Sequence, residues 1–320
     1  MDSTVATDTH TPARTLARVV VAALMTVVTA GSWDVWWHAA LGRDTFWEPP
    51  HVLLQVGVAA ALVAAAAGWW RSRDPRLRWL VAAALLVPLS APFDEIWHRV
   101  FGVEDLRSPL VVWSLPHVTL VAGLIAVDIV ALRLLRRDPD PVARFLFMGM
   151  AGGALLLLLL FLAAPLELLG PYHVVGPAGE AIPALFLALV LLAMRAQIAG
   201  PGGAMISAAF FLVLSAISTE PRVPAPGVLI PPHEHPPIWL SIFSYVLPAA
   251  FADLAGGRTS PALIGAGIGF LQTGFLYGTA NLFLEPSFRY SVAAGAASMA
   301  AGVVGGAVGG VLSRPLSRQL

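Results

Sequence analysis

Asp34, His38 and His51 form one set of side chains able to ligate a metal ion, and Asp94, His98 and His117 form a second. Both sets sit in one repeated pattern, D-x2-W-H-x3-G and then W-x2-P-H-V. The first copy reads Asp34, Trp37, His38, Gly42, then Trp47, Pro50, His51, Val52; the second reads Asp94, Trp97, His98, Gly102, then Trp113, Pro116, His117, Val118. The first halves are offset by 60 residues and the second halves by 66, so the second copy has six extra residues in its loop. One carboxylate and two imidazoles suit zinc, copper, iron or manganese, and the ligand count does not choose among them.

Spacing says how such residues can meet. Asp34 and His38 are four apart and share one face of a helix, one turn from its end. Pro49 and Pro50 suit the first turn of the next helix and set His51 there. Antiparallel helices joined by a short connection bring their loop-side ends together, so His51 can face Asp34 and His38. The same geometry brings His117 to Asp94 and His98. A plainer reading stands beside it: Asp–His hydrogen bonds that tie helix ends at a lipid–water interface, among tryptophan anchors. Gln55, one turn inward of His51, fits either as a group orienting that imidazole or as a buried amide bonded to a neighbouring helix.

Asp34-x3-His38-x12-His51 resembles the intramembrane copper-site motif of the C subunit of particulate methane and ammonia monooxygenases. Asp94, His98 and His117 are similar to that subunit's second, neighbouring copper-site set. They differ in having Asp where the family has Asn, and in a longer His–His gap. The resemblance covers about residues 30–120. It implies copper as the metal, oxidoreductase chemistry or an accessory role in it, and other membrane subunits as partners.

The elements that must position these residues are dictated by composition. The chain has 320 residues, is 58% hydrophobic and only 12% charged, with a mean hydropathy of +0.78. A soluble domain carries about twice that charge. We read an all-α, polytopic transmembrane bundle with the lipid bilayer as its first partner. Ten spans are expected, at about 15–38, 51–70, 77–98, 110–133, 144–166, 179–199, 203–219, 238–254, 260–281 and 290–312. That number exceeds what the monooxygenase subunit has. Residues 1–13 read as a polar tail, 14–313 as one membrane domain and 314–320 as a C-terminal tail. Within the domain, hairpin repeats cover about 15–70 and 77–133, spans one and two against spans three and four. Residues 14–30 also have the make-up of a signal peptide. Asp94, however, closes an apolar span that cannot be one, and by parallel the segment before Asp34 is retained as a helix.

All 19 basic residues are Arg, and with the abundance of Ala, Gly and Pro this fits a GC-rich bacterial genome. The arginines alternate with the histidines along the chain. Arg14 and Arg18, Arg71 to Arg78, Arg133 to Arg144, Arg258, and Arg314 and Arg318 fall to one side. By the positive-inside rule that side is the cytoplasmic face of a bacterial inner membrane, with both termini inside. The opposite face receives His38, His51, His98, His117, His173, His233 and His235. His233 and His235, two apart and flanked by prolines, form a weaker candidate metal site. His173, beside Gly170-Pro171, is weaker still.

Several classes are excluded. There is no Cys, hence no disulfide, thiolate site or Cys nucleophile. The net charge is zero with no basic block, which leaves nucleic acid without an electrostatic footprint. No HExxH, Walker loop, G-x-S-x-G or dinucleotide fingerprint is present. The expectation is an integral membrane metal-binding protein, either a copper-dependent oxidoreductase or accessory subunit, or a non-catalytic delivery, storage or sensing protein. A transporter is disfavoured by the scarcity of charge near mid-membrane.

Overall fold

The structure is a computed structural model that describes residues 11–41, 47–102, 110–136, 138–169, 179–198, 201–219, 238–255, 259–283 and 291–320. Among the described residues it is all-helical and contains no strand. In chain order the helices are α1 (Thr11–Leu41), α2 (Pro49–Ser72), α3 (Pro75–Phe101), α4 (Leu110–Trp113), α5 (Leu115–Leu135), α6 (Pro141–Leu169), α7 (Ala181–Gln197), α8 (Gly203–Thr219), α9 (Ile238–Ala255), α10 (Pro261–Phe283) and α11 (Val292–Gln319). Among the described residues, six helices are long and apolar enough to cross a membrane: α1, α2, α3, α5, α6 and α11. In a bilayer this is the stable solution, because a helix satisfies its own backbone.

The expected segments each coincide with a helix, with two differences. The segment 110–133 is broken at Ser114, whose backbone is extended at φ −60°, ψ 149°. An unbroken helix would put the Pro116 ring against the carbonyl of Val112, so the chain restarts at Leu115. At the other end, α11 runs on to Gln319 through the stretch read as a tail. Leu316 packs on the core there and Leu320 is buried, one helical turn apart.

Four helices form a ring. α1 packs on α2, α2 on α3, α3 on α5, and α5 back on α1. The diagonal pairs, α1 with α3 and α2 with α5, make no extensive contact among the described residues. Glycines let the ring close tightly, Gly57 and Gly123 at matched positions among them. A Cβ on Gly57 of α2 would lie 2.7 Å from Val27 Cγ2 of α1, and one on Gly123 of α5 would lie 3.0 Å from Leu86 Cβ and 3.1 Å from Val87 Cγ2 of α3. α1 is an integral part of this ring: Ala17, Val20, Val21 and Leu24 are all buried.

The remaining helices buttress the ring. α6 packs on α5 and α8, and α7, α10 and α11 pack on one another. Glycines 265 and 269 of α10 meet glycines 306 and 302 of α11 backbone to backbone, as small residues allow in a membrane. Asp253 of α9 caps α8 by accepting from the backbone N–H groups of Ala204 and Met205 at 3.2 and 3.0 Å.

Candidate metal centre

The ring places the Asp/His residues at one end. Asp34 lies near the C-terminal end of α1, and His51 is in the first turn of α2. Its Nε2 is 3.1 Å from Asp34 Oδ1. Asp94 and His98 lie on the last turns of α3, with His117 in the first turn of α5. Asp94 Oδ1 is 3.4 Å from His117 Nε2 and 3.7 Å from His98 Nε2. The carboxylates and rings are half-buried, between 18 and 34% exposed.

The local reasons are the same in both places. Glu48 and Ser114 precede α2 and α5 with near-identical extended backbones (φ −60°, ψ 146° and φ −60°, ψ 149°), and proline occupies both of the first two helical positions in α2 and the second in α5. Each then accepts the first helical bond at 3.0 Å, from Val52 and Val118. Proline has no N–H to leave unsatisfied there, and its fixed φ suits the first turn. His51 and His117 are thereby set facing the ends of α1 and α3.

Below this layer lies a small apolar cavity inside the ring. It is lined by Leu24 and Val27 of α1, Val58 and Ala61 of α2, Ala84 and Val87 of α3, and Leu124 and Val127 of α5. Leu24 and Val27 correspond to Ala84 and Val87 at an offset of 60; Val58 and Ala61 correspond to Leu124 and Val127 at an offset of 66. Those are the offsets of the Asp/His pattern. Asp34 is seven residues beyond Val27, Asp94 seven beyond Val87, His51 seven before Val58 and His117 seven before Leu124. Seven residues turn a helix through about 700°, which returns to within about 20° of the same face. These four residues therefore continue the stripes that line the cavity, two turns further out.

Where a metal would fit can be tested on the distances. Donors bound at about 2.0–2.1 Å in a tetrahedral site are about 3.3 Å from one another. The three Asp–His separations, 3.1, 3.4 and 3.7 Å, bracket that edge. The donor chemistry also fits. A closed cage is a further requirement, and among the described residues no group of three or more His, Asp or Glu side chains is arranged to hold an ion as it stands. The His38 side chain lies outside the described residues, as do His173, His233 and His235. The structure thus brings His51 to Asp34, and both His98 and His117 to Asp94.

Aromatic residues lie beside these positions in the chain and pack on one another. Trp37 makes edge contacts with Trp33 and Trp36, at ring separations of 5.8 and 6.5 Å, and Trp97 packs on Phe101 at 4.5 Å. Trp113 donates its Nε1–H to the carbonyl of Leu162 on α6, at 2.9 Å.

Two features escaped the sequence reading. Asp138 is fully buried and holds Arg18 by a two-pronged pair at 2.7 and 2.8 Å, tying α1 to the turn before α6. Nothing in the spacing of two residues 120 apart signals this pair. Asp128 of α5 is fully buried, with no hydrogen-bond partner among the described residues. The repeat carries its signal, since the corresponding residue of α2 is the apolar Leu62.

Compared with protein-family models, curated proteins and solved structures, the chain matches none.

Proposed function

We propose that this is a membrane metal-binding protein built on a duplicated helix hairpin. Its two Asp/His/His sets, Asp34, His38, His51 and Asp94, His98, His117, face each other across a pseudo-two-fold axis. One observation carries the reading: the Asp–His pairing recurs at the same register in both hairpins, above a cavity whose lining is paired by the same offsets. A duplicated polar site at equivalent helix ends is hard to explain by interfacial anchoring, which tryptophan alone provides. The metal is a divalent transition ion, with copper favoured by the resemblance and zinc or iron suited by the donors. Bound there, it would supply redox or Lewis-acid chemistry. The protein's own part is to present imidazoles held beside carboxylates at the helix ends. We read ten spans, both termini cytoplasmic, and the site at the outer face of a bacterial inner membrane.

The alternative is a set of Asp–His bonds that only fasten helix ends, favoured by the lack of a closed three-ligand group among the described residues. Metal analysis of the purified full chain separates the two. Wild type should retain a transition metal that the His38→Ala/His98→Ala variant, folded by the same thermal transition, lacks. Equal metal content in both would leave the fastening reading. Sidedness is checked separately in this cysteine-free chain. Single cysteines at Thr45 and Ser72 should label from opposite faces, and labelling from one face would refute the topology.

A further inference from the structure

The opposite end of the ring carries a second chemistry. The chain through the turn joining α2 to α3 carries Trp69, Trp70 and Trp79 among Arg71, Arg73, Arg76 and Arg78, with Asp74 as its single carboxylate. Trp70 and Trp79 are 70 and 61% exposed. The Arg73 guanidinium lies 4.6 Å above the Trp70 ring, and that of Arg78 lies 5.4 Å from the Trp79 ring. Arg73 adopts φ 54° and closes α2 by donating its N–H to the Trp69 carbonyl at 2.8 Å. Arg71, Arg73 and Arg78 are exposed, and among the described residues no carboxylate is paired with any of them.

The corresponding turn after α5 is different. There the chain reads Leu135, Arg136, Arg137, Asp138, Pro139, Asp140, with no tryptophan, and Asp138 and Asp140 hold Arg18. One turn has its carboxylates engaged within the fold; the other has cations stacked on indoles and turned outward. An indole at a helix end sits at the headgroup level of a bilayer. A guanidinium stacked on it keeps its N–H fork available, and that fork matches phosphate geometry.

We propose that the α2–α3 turn is a binding site for the headgroup of an anionic phospholipid. The phosphodiester is taken by Arg73 and Arg78, with Arg71 adding charge, while Trp70 and Trp79 set the depth. The site depends on the membrane reading of α2 and α3 and is independent of the metal reading.

The test reconstitutes the full chain in nanodiscs of equal phosphatidylglycerol and phosphatidylcholine, then counts retained lipid by native mass spectrometry. Wild type should be enriched in phosphatidylglycerol over the bulk ratio. Arg73→Gln and Arg78→Gln should each lower that enrichment by about fivefold, the effect of one cation near an anionic surface. Arg136→Gln, at the other turn, should leave it unchanged. Excess inorganic phosphate should not displace the lipid. The proposal is overturned if wild type retains only the bulk ratio, if Arg136→Gln acts as strongly as the other two, or if phosphate alone empties the site. All three substitutions are at exposed positions, and a thermal transition matching wild type serves as the control for folding.

Discussion

The hairpins α1–α2 and α3–α5 are alike at one end and unlike at the other. At the Asp/His end their helix boundaries, capping backbones and Asp–His pairs coincide at offsets of 60 and 66. At the Arg end one turn is outward and cationic, while the other is stitched to α1 through Arg18. Likeness at one end only is informative. Packing alone would hold both ends to the same pattern, since both must close a four-helix ring. The shared end holds both proposed ligand sets, while at the divergent end one turn is braced to Arg18 and the other is exposed.

The strongest way to break this comparison is at the cross-brace. Arg18→Ala leaves the fully buried Asp138 carboxylate without its cation. We predict a loss of about 3 kcal/mol in detergent unfolding experiments, the low end for breaking a buried pair because Arg18 is itself 30% exposed. Arg73→Ala, in the outward turn, should cost less than about 0.5 kcal/mol. Equal losses would mean that the two turns do not differ as described.

The next largest effect concerns the glycines that let each hairpin close. Gly57→Leu and Gly123→Leu should each destabilise by about 1–3 kcal/mol, because the added side chain meets Val27 or Leu86 and Val87. The matched sites should respond alike, and a large difference between them would count against equivalent packing. Thermal unfolding of the two variants side by side gives the answer.

The smallest effect sharpens the comparison at the shared end. Trp113→Phe removes the indole bond to the Leu162 carbonyl and should cost about 1 kcal/mol. Trp47→Phe, at a position 75% exposed, should fall within about 0.5 kcal/mol of wild type. The second hairpin is fastened to α6 through this indole, so the Trp113 substitution should register in thermal unfolding.

Much of this was legible from residue types and spacing. Long apolar runs require helices in a bilayer, and D-x3-H with Pro-His states which residues share an end. The pairing of Asp34 with His51 and of Asp94 with His117 rests on helix periodicity and proline placement, both local properties. The break at Ser114 was also local, but hydropathy hid it, since Leu110–Trp113 is as apolar as α5 itself. What spacing does not carry is contact between distant segments. Arg18 with Asp138, and Asp253 capping α8, depend on which helices become neighbours, whereas the burial of Asp128 had a trace only in its apolar counterpart Leu62. The ring itself was half visible. The repeat implied a two-fold relation, while the facing of the stripes emerged only when the cavity lining proved to be paired residue by residue.

If the two halves contribute equivalent, facing ligand sets, metal binding must depend on both. Metal stoichiometry decides this, measured on the purified full chain beside its Asp94→Ala/His98→Ala variant, with both folded. Equivalent sets require the variant to lose at least half of the bound metal: all of it for one shared centre, half for two facing centres. Wild type without metal, or a variant that retains the full complement, would contradict equivalence.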